Sequence, residues 1–319
     1  MLFRSNAGVT LPGLPGGLIT RPTLVWDVSA RQAATHRTRV SYQTTGATWW
    51  TDYNVTYNDG ANANSCKLDI GAWVSIINQT GASYQNAKLK LIAGDVQRAT
   101  AAGRAVPMAA AIAKSRTEER DAFAEKTFFE YHLYTLGRPA DLPDNSTKQL
   151  ELFPAAHNVA CEKKLIYYGV APGYYGYAAS PVTDRNYGVQ TNRKVDVYLE
   201  FANSSQNHMG MPLPSGRMRV SKLDDADRTL EFIGENVIDH TPANEKVLIK
   251  LGSAFDVVGE RKQIDFKIDT ARKTMSEEIE IKLRNQKKEP VTVTVKENLY
   301  RWTNWQITNG THDFEKEDA

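Results

Sequence analysis

No HExxH, no GxSxG elbow, no P-loop and no GxGxxG occurs in the 319 residues. The motif case for a zinc protease, a nucleophile-elbow hydrolase or a nucleotide-binding loop is therefore missing, and no cofactor is implied. Gly13, Gly16 and Gly17 are interrupted by Pro15, and no helical pattern follows to make a phosphate cradle. His36, His132, His157, His208, His240 and His312 are scattered without zinc spacing. The two cysteines, Cys66 and Cys161, form no CxxC, so a redox motif or a cysteine zinc site has no support. Charge of one sign is lacking too, with 39 basic against 37 acidic residues and a net +2. That balance argues against nucleic acid or an anionic membrane as a partner. No apolar run approaches the length of a bilayer span, so no integral membrane segment is expected. Met1-Leu2-Phe3-Arg4-Ser5 is not followed by the apolar core of a signal peptide. The loop-like stretch from Leu11 to Gly17 reads as an incomplete N-terminus, with an export signal expected upstream of this chain.

What the sequence has in abundance is period-two alternation. In 66–76 the apolar positions are Cys66, Leu68, Ile70, Ala72, Val74 and Ile76, with Lys67, Asp69 and Ser75 among those between. One buried face and one wet face mark an antiparallel sheet on a core. A length of 319 residues is too great for one small sandwich. The expected fold is all-β, with two β-sandwich domains. An irregular lead-in covers 1–35, with one strand near 23–28. The first sandwich covers 36–178, with strands at 38–43, 51–57, 67–78, 86–92, 126–136, 148–153 and 164–168. Its turns are Asn58-Asp59-Gly60 and Gln79-Thr80-Gly81. Residues 95–125 are rich in Ala and Arg and read as a mobile insertion, with a short helix at 117–126.

The second domain, 184–308, carries the clearest alternation. Val195, Val197, Leu199 and Phe201 share a face, as do Val247, Ile249 and Leu251. Ile264, Phe266 and Ile268 follow the same rule, then Ile279, Ile281 and Leu283, and finally Val291, Val293 and Val295. Short strands at this spacing predict an immunoglobulin-like sandwich. A charged tail, 309–319, closes the chain.

Several segments resemble a bacterial family. They include the run from Phe129 to Leu136, the run from Lys148 to Phe153, Met211-Pro212-Leu213-Pro214-Ser215-Gly216-Arg217-Met218-Arg219-Val220, Phe232-Ile233-Gly234-Glu235, Asp239-His240-Thr241-Pro242 and the run from Leu251 to Val258. The family is domain of unknown function 4139, related to the C-terminal part of mucoidy-inhibitor-A-like proteins. The resemblance covers about residues 20–308. It implies an all-β body and members that often carry export signals. It supplies no catalytic residues.

Candidate chemistry is sparse. Asp239 and His240, with Glu235 nearby, could do acid–base work, although a turn closed by Pro242 is the plainer reading. Glu130 and His132, beside Tyr134, could face a groove or simply solvent. Asp224, Asp225 and Asp227 could offer oxygens to a metal, but Arg228 follows where a calcium loop has glycine, so a solvated turn is expected and no metal. Cys66 and Cys161 are either two reduced core thiols or a disulfide that would imply an oxidising compartment. Tyr174, Tyr175 and Tyr177 in the central loop, and Tyr300, Trp302 and Trp305 near the end, are candidate ligand-binding aromatics. Trp49 and Trp50 form a third cluster. Core or inter-domain packing is the alternative use for all of these rings.

The expected function is a non-catalytic binding or assembly protein of the bacterial cell envelope, periplasmic or secreted. Its partner would be a protein or a polysaccharide, or a second copy in a homo-oligomer. Edge strands such as 291–295 are where a partner chain could pair. The alternative is a hydrolase acting on a polysaccharide or ester with a Glu/Asp/His site.

Overall fold

The structure, a computed structural model, describes residues 25, 27–94, 123–170, 180–187, 192–299 and 301–317. It falls into two units, 1–43 and 44–319. In the first unit the described residues form no strand, and Val40 and Tyr42 are 47% and 61% exposed. The expected strand at 38–43 is therefore absent: its alternating side chains stay largely exposed, and no described strand pairs with it. The strand expected at 23–28 lies partly outside the described residues, and its described positions are irregular.

The second unit is nearly all β. In chain order it contains β1 (Ala47–Asp59), β2 (Ser65–Asn78), β3 (Tyr84–Ala87), β4 (Lys90–Ala93), β5 (Phe123–Phe128), β6 (Tyr131–Leu136) and β7 (Ala140–Leu142). Then come β8 (Ser146–Tyr168), β9 (Lys194–Ala202), β10 (Gly216–Leu223), β11 (Leu230–Ile238), β12 (Lys246–Asp269), β13 (Thr274–Asn285) and β14 (Val293–Lys296). Apart from one 3-10 turn, Ser205–Asn207, no helix occurs among the described residues. The helix expected at 117–126 is replaced from Phe123 onward by β5, and the rest of it, like most of the Ala-rich insertion, lies outside the described residues. The single strand expected at 126–136 is a hairpin, because Phe129 turns the chain at φ 58°.

Nine strands form one sheet in the order β11-β10-β1-β2-β8-β9-β12-β13, with β14 beside β8. β1 pairs β10 in parallel, from Thr51↔Gly216 to Tyr57↔Lys222. The boundary expected between 178 and 184 does not divide this sheet. β8 and β9 pair across it, from Cys161↔Phe201 to Tyr167↔Val195.

Burial explains the shape. Inward rows from seven strands meet in one continuous cluster. They include Tyr53 and Val55 of β1, Leu68 and Ile70 of β2, Leu152 and Val159 of β8, Leu199 of β9, Met218 and Val220 of β10, Ile238 of β11 and Ile249 of β12. A single sheet can bury one face of so many strands on itself only by curling. Gly234 of β11 marks where the curl returns: a Cβ there would fall 2.6 Å from the Leu251 carbonyl oxygen in β12. No ladder joins β11 to β12, so the curl stays open along this seam.

Two small sheets, β3–β7 and β4–β6–β5, add Leu91, Phe123, Tyr134, Leu136 and Leu142 to the same cluster. Two tyrosines reach the 212–214 segment beside them: the Tyr134 hydroxyl donates to the Pro212 carbonyl and the Tyr53 hydroxyl to the Pro214 carbonyl, both at 2.7 Å. Cys66 and Cys161 face each other across β2 and β8, with their sulfurs bonded and their Cα atoms 4.9 Å apart.

Beyond the curl, the second half of β12, β13, β14 and the end of β8 form an extension with its own small core of Leu165, Tyr167, Val195 and Val257. Arg261, only 1% exposed, lies here and holds Glu297 at 2.7 Å. Arg301 donates to Glu277 at 2.9 Å and to the carbonyls of Val182, Asp184 and Tyr187, tying three segments together.

Candidate functional site

The site lies where the two apolar cores part. The inward row of β1 runs Tyr53, Val55, Tyr57 and then Asp59. The row of β10 runs Met218, Val220 and then Lys222. The row of β8 passes from Val159 through Cys161 to Lys163 before turning apolar again at Leu165. At one end of the curl, then, two buried rows finish in charge and a third is interrupted by it. They line an opening of about 250 Å³, floored by Val197, Leu199, Ile233 and Leu251. Ile233 reaches it because β11 carries an extra residue opposite Val220 and Ser221.

Asp59 is fully engaged. Lys222 Nζ donates to its Oδ2 at 2.5 Å and the Tyr57 hydroxyl to its Oδ1 at 3.1 Å. The Lys222 bond holds the Asp59 carboxyl below its ordinary range, against the opposing effect of burial. Burial first, and Asp59 second, push the Tyr57 phenol up. Lys222 also stands 5.5 Å from the centre of the Tyr57 ring. Lys163 differs from Lys222: it makes no ion pair within 4 Å among the described residues. Burial, and then the nearby charge of Lys287, press its ammonium below the usual lysine range. Asp59 and Glu289 act on the Lys163 ammonium from a distance without offsetting these effects. A concave site with one close ion pair and one cation that no described carboxylate contacts is suited to an oxyanion.

The structure scatters the residues singled out in the sequence. Glu130 is in the β5–β6 turn. His132 Nδ1 lies 2.7 Å from Glu125 Oε1, a carboxylate–imidazole pair that no hydroxyl or thiol joins among the described residues. Glu235 sits on β11, 3.4 Å from Arg219 Nε. His240 Nδ1 accepts the Ser215 amide at 3.0 Å, and the Asp239 carbonyl accepts the Thr241 hydroxyl. No hydrogen bond or ion pair joins Glu235, Asp239 and His240 to one another. Neighbours along an extended chain point to opposite sides.

Asp224 and Asp227 cap their own turn, accepting the Ala226 and Thr229 amides, and Asp225 is 4.0 Å from Arg228. No group of three metal-ligating side chains occurs among the described residues. Tyr174, Tyr175, Tyr177 and Tyr300 lie outside the described residues. Trp302 is half-buried, and Trp305 has the Lys316 ammonium 5.1 Å from its ring centre. Trp49 packs on the main core, while Trp50 donates to Asp52 at 2.7 Å.

Asp59, Lys163 and Lys222 escaped the sequence reading. The available signal was a row of buried alternation closed by a charged residue near a strand end for Asp59 and Lys222, and broken by one inside β8 for Lys163. Such an ending is usual for strands, and only the shared rim gives it meaning.

No helix among the described residues is long and apolar enough to cross a membrane. No curated protein and no solved structure matches the chain. The chain belongs to the family described as domain of unknown function DUF4139, whose family model matches residues 38–311.

Proposed function

We propose that this DUF4139 member is a non-catalytic binding protein of an oxidising compartment of the cell envelope, and that the mouth of its curl takes a carboxylate or phosphate group of the ligand. The observation that carries the reading is Lys163, a half-buried ammonium with no ion-pair partner within 4 Å among the described residues, beside a satisfied Asp59–Lys222 pair. An anion entering there neutralises a charge that the fold leaves costly. The apolar floor of Val197, Leu199 and Leu251 would cover the rest of a small ligand. The Cys66–Cys161 bond supports the compartment, since cross-links of this kind persist where thiols are oxidised. The hydrolase alternative has only the Glu125–His132 pair in its favour.

Titration with inorganic phosphate and with acetate, followed by amide chemical shifts, tests this. Saturable shifts on β1, β8 and β10 are expected in the wild type and lost in Lys163→Met. Binding should also fade on the alkaline side at a lower pH than an ordinary lysine would dictate, because the Lys163 ammonium is depressed. Equal responses in the two proteins, or none in the wild type, reject the reading.

A further inference from the structure

β13 is the last strand of the main sheet, and no strand among the described residues pairs with its outer edge. We infer that this edge joins a second copy of the chain, antiparallel, about a two-fold axis at Ile281.

One face of β13 presents Glu278, Glu280, Lys282 and Arg284, two acids followed by two bases. Directly opposed residues in an antiparallel pair show their side chains on the same face. A two-fold pairing therefore matches residues symmetrically about a central one. Centred on Ile281, Glu280 of each copy stands opposite Lys282 of the other, and Glu278 opposite Arg284. Centred on Glu280, the acid meets itself. Centred on Lys282, the base meets itself. Opposed unlike charges favour a cross-strand pair and like charges oppose it, so the order of charges selects one register.

The other face agrees. Ile281 would meet Ile281, and Ile279 would meet Leu283. Leu283 is 39% exposed in the single chain, and Ile281 already packs on the Tyr167 cluster. The pairing thus continues an existing apolar row across the axis. Three of the four charges on that face already have a partner within the single chain. Lys282 lies 2.8 Å from Glu280 and Arg284 lies 2.8 Å from Glu260, with all four side chains between 41% and 59% exposed. A guarded edge uses proline, a bulge, a very short strand or repelling charge. The twelve residues of β13 contain no proline, and their charges are ordered to attract a copy of themselves.

Sedimentation across a concentration series, at low and high salt and with no oxyanion ligand present, reads this apart from the mouth. The wild type is expected to dimerise, more weakly at high salt. Lys282→Glu sets acid against acid on both sides of the axis and should weaken the dimer by about tenfold or more. Exchanging the pair, Glu280→Lys with Lys282→Glu, restores unlike partners in the same register and should restore the dimer. Both side chains are solvent-exposed, and circular dichroism verifies that each variant folds. A wild type that stays monomeric to near-millimolar concentration overturns the inference. So does a Lys282→Glu dimer as tight as the wild type, or an exchanged variant that fails to recover.

Discussion

In the curl, the largest sealed side chains include Tyr53, Leu68, Ile70, Leu152 and Leu199, each at 0% exposure. In the extension the largest is Arg261. The two regions belong to one sheet, yet their interiors are closed by different means. Where strands wrap onto themselves, apolar rows from several directions can fill the space between them. The extension has few strands to cover its inner face, and only Leu165, Tyr167, Val195 and Val257 are sealed in its own apolar cluster. Beside Phe266, further interior is taken by Arg261 with Glu297 and by Arg301 with Glu277. Withdrawing such charges from water is offset only roughly by their attraction. The lesson is that the curl is stabilised by what it contains, whereas the extension depends on its pairs staying whole.

The largest expected effect comes from breaking one of those pairs. Arg261→Met leaves Glu297 buried without its cation, and urea unfolding should register a loss of about 3–5 kcal/mol. Adding Glu297→Leu should recover most of it. If the double variant is no better than the single one, Arg261 acts through packing and the contrast between the regions dissolves. Next in size is the curl. Leu152→Ala opens a cavity in a fully sealed row and should cost about 2–5 kcal/mol. That cost should not vary with pH, so a marked variation would mean that ionised groups stabilise the curl as well.

The smallest effect sharpens the comparison through titration. Burial lifts the Glu297 carboxyl above its ordinary range, and Arg261 opposes that shift without cancelling it. The buried Oε2 has no hydrogen-bond partner among the described residues. A carboxyl whose folded pKa exceeds its unfolded one, about 4.3, favours the fold fully in acid below that value. The contribution is lost as pH rises through the folded pKa. Melting temperatures of Glu297→Gln should therefore gain on the wild type as the pH is raised from about 4 toward neutrality. A wild-type advantage that grows over this range would show that attraction to Arg261 outweighs burial.

Most strands of the curl were legible because one face is buried, and burial of one face writes itself as alternation. β2 and β9 are examples, with Leu68-Asp69-Ile70 and Val197-Tyr198-Leu199. Legibility failed where alternation was interrupted without the strand ending. β8 read as two strands because Pro154 to Asn158 breaks its pattern, and Asn158 has φ 57°. β12 read as two because its pairing with β9 jumps from Ser253 to Val258, leaving Phe255 95% exposed. The converse failure was at 38–43, where alternation exists but the segment forms no strand and Val40 and Tyr42 stay exposed. Pairing partners were not legible at all. Nothing in the β1 row announces a parallel neighbour in β10, and for that reason the rim of Asp59, Lys163 and Lys222 stayed hidden.

That parallel contact also has a consequence for how the molecule comes into being. Thr51 aligns with Gly216, so β1 waits for a distant stretch of the chain before its second flank is covered. During synthesis, β1 and β2 can close as a hairpin early, but the outer edge of β1 stays open until β10 emerges. Pairings so remote in sequence are slow to form, and an open edge meanwhile is a place for misassembly.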